Sequence, residues 1–201
     1  MQRAAIVASR RLGLLLSGLL CWLSVQAESQ KELPKEPKSS ALRDGRHDFD
    51  FEVGRWTAHV KSLRHRLSGA SDWEEFSGTE TTRALPAFEG WNESELQVID
   101  VKSGKRVALF AVRLYNPATH QWSIYGTSVT RGVFDPPMIG QFNNGVGEFY
   151  SQDMWEGRAV LVRFIWKIVD ATHATLQQAY SDDGGKTWET NWTYEGERLQ
   201  Q

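Results

Sequence analysis

From residue 56 to residue 199 the chain shows no helical i, i+3, i+4 stripe, and that excludes most folds. Period-2 or fully apolar runs recur instead, separated by Gly, Pro, Asn and Asp. The runs fall at 56–63, 74–85, 91–101, 106–115, 121–129, 138–144, 147–155, 159–169, 174–181 and 187–199, which makes nine or ten strands. The connectors suit hairpins. KSGK (102–105) and DDGGK (182–186) carry Gly where a turn needs positive φ. NPATHQ (116–121) opens on Asn-Pro, and DPP (135–137) forbids a central strand there.

Short links between consecutive strands predict an all-β, antiparallel up-and-down meander. At this strand count a closed barrel is the economical way to leave no unpaired edge. A two-sheet sandwich is the alternative. Just before the first strand, HDFDFEVGRW (47–56) places Phe49, Phe51 and Val53 on one side, followed by Gly54-Arg55-Trp56. In a small barrel, an aromatic stopper followed by G-x-W closes one end and starts the first strand.

The first 27 residues read as a signal peptide and are set apart from the fold. Arg3, Arg10 and Arg11 form a positive n-region, LGLLLSGLLCWLSV (12–25) an apolar h-region, and Val25-Gln26-Ala27 a small-residue cleavage site. Cleavage after Ala27 predicts a secreted or periplasmic protein with no stable membrane insertion; an uncleaved anchor is the lesser reading. Residues 28–46, polar and with two proline–lysine steps, read as a disordered tether, leaving 47–201 as the β-barrel domain. The single cysteine, Cys21, lies in the leader, so the exported chain enters an oxidising compartment without a disulfide. Removing the leader's three arginines from the 23 Lys+Arg leaves 20 against 25 acids, a net charge near −5 that argues against nucleic-acid partners.

FDFEVGRW, RLYNPATHQWSIY, VRFIWKI and QAYSDDGGKTWETNW together resemble a family of secreted bacterial proteins of unknown function with a lipocalin-like (calycin) barrel. The resemblance spans about 47–198 and implies a barrel with an internal cavity; it implies no reaction and no catalytic residues. The G-x-W element is also similar to that of lipocalins and haem-binding nitrobindins, but Thr57, Ala58 and His59 follow Trp56 where nitrobindins keep Gly-x-Gly.

Ser181-Asp-Asp-Gly-Gly-Lys-Thr-Trp188 resembles the Asp-box of bacterial sialidases. Those enzymes repeat the box once per propeller blade, and here it occurs once. It therefore reads as a structural turn: Asp183 accepts turn N–H bonds, Gly184 and Gly185 take positive φ, and Trp188 packs under the loop.

Inside a barrel, polar side chains on inward faces are the informative ones. Leu109, Ala111, Arg113 and Tyr115 share one face of their strand; Leu161, Arg163, Ile165 and Lys167 share one face of theirs. Arg113 and Arg163 are thus candidates to grip an anionic group, with Tyr115 and Tyr125 as donors and Glu80, Glu93 or Glu95 as carboxylate partners. The opposing reading makes each arginine structural, either in an Arg–Glu pair or on the solvent face over a tryptophan. Trp56, Trp192 and Gln178 complete the candidate ligand-binding set; for most tryptophans, core packing is the simpler role. His47, His59, His65, His120 and His173 lack metal-ligand spacing, so no metal and no cofactor is expected. Asn92-Glu-Ser94 and Asn191-Trp-Thr193 match the glycosylation pattern only by chance.

The leading functional expectation is a barrel that binds a small apolar or amphipathic ligand, potentially anionic, in its interior. The rivals are a cofactor-free lyase, isomerase or cyclase using Arg, Tyr and Glu in the same cavity, and an interaction module with a filled barrel. The oligomeric state is left open.

Overall fold

The structure is a computed structural model and describes residues 43–200; the leader, and the tether up to residue 42, lie outside the described residues. A 3-10 turn (Asp50–Glu52) precedes ten strands: β1 (Gly54–Leu63), β2 (Trp73–Ala84), β3 (Asn92–Asp100), β4 (Arg106–Asn116), β5 (Gln121–Ser128), β6 (Met138–Asn143), β7 (Val146–Trp155), β8 (Arg158–Ile168), β9 (His173–Ser181) and β10 (Glu189–Arg198). Every strand starts and ends within two residues of the run that marks it in the sequence.

Each strand pairs antiparallel with its chain neighbours, and β1 pairs with β10, closing the barrel. An even strand number allows this, because an up-and-down meander returns its last strand antiparallel to its first. The alternation has a physical cause. Successive side chains point to opposite faces, so Trp56, Ala58 and Val60 of β1, and Val160, Val162 and Trp166 of β8, turn inward and are buried. Gly78 lets β2 lie close against β3, since a Cβ there would run into the backbone of Gln97 and Val98.

The two ends differ. The end where β1 begins is plugged by the segment that precedes it. Phe49, fully buried, meets Trp122 and Phe142 edge-on at 4.9 Å and lies 5.7 Å from Phe149. The expected stopper is present, but Phe49 and Phe51 are not a simple alternating pair: the 3-10 turn buries Phe49 and leaves Phe51 half-buried. The Trp56 indole N–H donates to the Glu52 carbonyl at 2.7 Å. Arg198 lies over the Trp56 ring at 4.4 Å and donates to the carbonyls of Val53 and Phe51.

Residues 43–46, assigned to the tether by composition, belong to this plug. The Gly45 N–H donates to the Tyr115 hydroxyl at 2.9 Å, and the Trp122 indole donates to the Gly45 carbonyl at 3.0 Å. A polar, glycine-bearing segment that makes backbone bonds to buried aromatics has no hydrophobic signature by which to be recognised.

Candidate functional site

Above the plug, the barrel interior is hollow. A cavity of about 480 Å³ runs from a polar floor to a mouth at the opposite end. Its walls are mostly apolar, from Phe76, Leu96, Leu109, Ile124, Val162 and Leu176. Trp166 and Tyr194 add aromatic faces near the floor, and Trp192, one inward position nearer the mouth on β10, stacks on Tyr194 at 6.3 Å between centroids. Near the mouth stand Arg66, Arg131, Asp135, Asp153, Trp155 and Tyr180. The Arg66 guanidinium lies 4.7 Å from the Trp155 ring and donates to the Tyr180 hydroxyl. Burial pushes the Asp135 carboxyl up; Arg131 opposes the shift and Asp153 adds to it.

The floor is built around Arg113, which is 3% exposed. β4 aims it inward opposite Asn92 of β3, and it donates to the Asn92 side-chain oxygen at 3.0 Å. Its other terminal nitrogen lies 2.8 Å from Glu52 and 3.8 Å from Glu80. The guanidinium also lies 5.1 Å from the Phe49 ring. One guanidinium thus serves two buried carboxylates. Glu52 comes from the plug, not from a strand, and neither of its oxygens receives a hydrogen bond, so its contact with Arg113 is a close approach without donor alignment. Burial raises the Glu52 carboxyl from 4.5 to about 8; Arg113 pulls it down and Glu80 pushes it further up. Burial thus favours the protonated form of Glu52. The Tyr194 hydroxyl, close to Glu80, is held strongly toward its neutral form, first by burial and then by the charges of Glu80 and Glu52. Gly196 leaves room for it, since a Cβ there would collide with the Tyr194 ring.

Of the residues proposed from sequence, Glu80, Arg113, Gln178 and Trp192 line the cavity. Gln178 donates to the Asn191 side chain at 2.8 Å. Trp56 and Tyr115 are interior but lie in the plug, below the cavity: Trp56 is held by Glu52 and Arg198, and the Tyr115 hydroxyl is occupied by Gly45. Three residues need correction. Arg163 lies on the outer face of β8, its guanidinium 4.4 Å from the Trp188 ring, because Val162, Phe164 and Trp166 set the inward phase of that strand. Tyr125 is outside for the same reason: Ile124 and Gly126 face in, and Tyr125 packs against Phe134. Glu95 faces out from β3 and sits 3.4 Å from Arg83, with Glu93 at 3.7 Å from the same arginine.

The 181–188 hairpin satisfies itself internally. Asp183 accepts from Ser181, from the Lys186 and Thr187 N–H groups and from the Thr187 hydroxyl, and these bonds, Thr187 foremost, hold its carboxyl well below the usual range. The Ser181 hydroxyl accepts the Gly185 N–H, and the Trp188 indole donates to the Gly185 carbonyl. Asn92 and Asn191, of the two glycosylation-type triplets, are both buried.

No protein-family model and no curated protein matches the chain. Among solved structures it is similar to designed β-barrels. One is a de novo designed fluorescence-activating β-barrel, at 11% identity and TM-score 0.41, covering 79% of this chain and 100% of that one. Another is EF1p2_mFAP2b bound to DFHBI, at 10% identity and TM-score 0.43, covering 77% and 99%. These likenesses are of the barrel fold alone.

Sequence reasoning missed Glu52, Asn92 and Tyr194. Tyr194 was within reach, since it shares the inward face of β10 with Trp192. Glu52 had only a weak signal: an acid placed inside the aromatic plug DFEV.

Proposed function

We propose that the protein is a secreted or periplasmic barrel that binds a small amphipathic molecule in its interior. The observation that carries this reading is the cavity: about 480 Å³, closed below by the plug and reachable from the mouth. Ligand sites of small proteins span about 300–1,000 Å³ and combine apolar walls with a few convergent polar groups. Here the polar groups converge at the floor, so the ligand enters polar end first and leaves its apolar body against the walls. A filled-barrel interaction module does not need such a space. Support for export comes from the leader-like residues 1–27 and from the absence of cysteine after Cys21. The test is native mass spectrometry of the protein, expressed from the full chain and purified without refolding. A co-purifying small molecule, lost when Leu109→Trp fills the cavity, is the expected result. A bare mass, with no change of Trp fluorescence across a panel of apolar probes, overturns the reading.

One observation favours a second reading, a cofactor-free enzyme that moves protons. Glu52 keeps a proton into the neutral range while Glu80 and Tyr194 face the cavity beside it. In that case Glu80 is the group that would touch substrate, and Glu80→Gln would abolish turnover while leaving binding in place.

A further inference from the structure

The floor sets two carboxyl groups, Glu52 and Glu80, beside one guanidinium, and this bears on what the cavity accepts. Arg113 has the Glu52 carboxyl at 2.8 Å and donates to Asn92 at 3.0 Å, so both of its terminal nitrogens already face protein groups and only its Nε has no partner. Glu80, 5% exposed, lines the cavity and lies further from the arginine, at 3.8 Å. Trp166, 5.9 Å from the Arg113 guanidinium, and Tyr194 stand at the same end of the cavity, and Trp192 stacks on Tyr194 toward the mouth.

We propose that the ligand is a lipophilic amine, its ammonium group held by the Glu80 carboxylate and its apolar body lying against the aromatic wall. The inference rests on the reading of the cavity as a binding site. The charge balance works by exchange. With the cavity empty, Glu52 is protonated and Arg113 balances Glu80. When an ammonium group reaches Glu80, Glu52 releases its proton to solvent and becomes the partner of Arg113. Two carboxylates then face two cations, and the floor stays neutral. A carboxylate ligand has no such route, since it brings a second negative charge beside Glu80 to an arginine already engaged. The aromatic faces add attraction for a cation that they cannot give an anion. The charged and titratable groups facing Glu52 and Glu80 are Arg113 from β4 and Tyr194 from β10, and the Tyr194 hydroxyl stays neutral across this range.

The test uses three probes of matched size, 4-phenylbutylamine, 4-phenylbutanol and 4-phenylbutanoate, titrated into the full chain by calorimetry in two buffers of different ionisation enthalpy. The amine is expected to bind about tenfold tighter than the alcohol or better, as a charge-assisted hydrogen bond allows. Close to one proton should be released per amine bound at pH 7, and none with the alcohol. In Glu80→Gln the amine should lose its advantage while the alcohol still binds, which also shows that the variant is folded. In Glu52→Gln the amine should bind without releasing a proton. Equal binding of amine and alcohol, or tightest binding of the carboxylate, overturns the amine inference and leaves the cavity reading standing. Failure of all three to bind overturns both.

Discussion

The two ends of this barrel are made of the same kind of residue and do opposite things. At the plugged end Phe49 is wholly buried in a ring of aromatics, and Trp56 is clamped between Glu52 and Arg198. At the mouth, Val129 is 80% exposed, Val133 64%, Met154 61% and Phe134 51%. The difference lies in what covers them. The chain's own residues 43–53 fold across one end. At the other, the 129–137 loop runs beside the opening, held by backbone bonds such as Asp135 N–H to the Gly126 carbonyl. The ladder reflects this, since β5 pairs with β6 only over Trp122–Ile124, on the plugged side. Packing energy is concentrated at one end, and access to the interior is left at the other.

The largest effect should therefore come from the plug. Phe49→Ala deletes a ring that packs against five aromatic neighbours, and a loss of about 3–5 kcal/mol is expected. Urea unfolding followed by Trp fluorescence measures it. A loss below about 1 kcal/mol, the scale of an ordinary mutation, would mean that the plug is not what anchors the barrel.

The boundary between the two ends is the buried acid. Glu52 binds its proton more tightly folded than unfolded. Its contribution is complete below pH 4.5 and is lost as the pH rises toward about 8. Within that window stability should fall by up to about 1.4 kcal/mol per pH unit. Glu52→Gln mimics the neutral form and should flatten the profile. The difference between the two profiles isolates the contribution of Glu52. Identical profiles would show that Glu52 is not held neutral.

The plugged end and the floor also show how far sequence reading reaches. All ten strands were legible, because alternation and turn residues are local signals set by the strand's own period. Arg113 was legible as an inward polar residue for the same reason. Arg163 was not, because its strand is apolar on both faces. Trp188 of the hairpin covers the outer one, so apolar neighbours at 161 and 165 look the same as a core. Glu52 was hidden more deeply. It is buried by a 3-10 turn that obeys no strand period, and its partner, Arg113, is 61 residues away in the chain. Residues 43–46 were assigned to the tether because backbone groups, not side chains, hold them in place. What sequence shows here is the wall of the barrel; what closes it and charges it comes from a non-periodic segment.

The smallest effect should come from the mouth. Val129 and Val133 project into water, and the loop that carries them is fixed by main-chain bonds: Arg131 N–H to the Ser128 carbonyl, Asp135 N–H to the Gly126 carbonyl, and the Thr127 hydroxyl to the Val133 carbonyl. Replacing both valines by serine touches none of these and removes no buried contact. The double variant should unfold within about 0.5 kcal/mol of the parent, as surface changes do. A loss several times larger would mean that these side chains fold down over the opening in solution. The mouth would then be a second plug, and the contrast between the two ends would be one of degree.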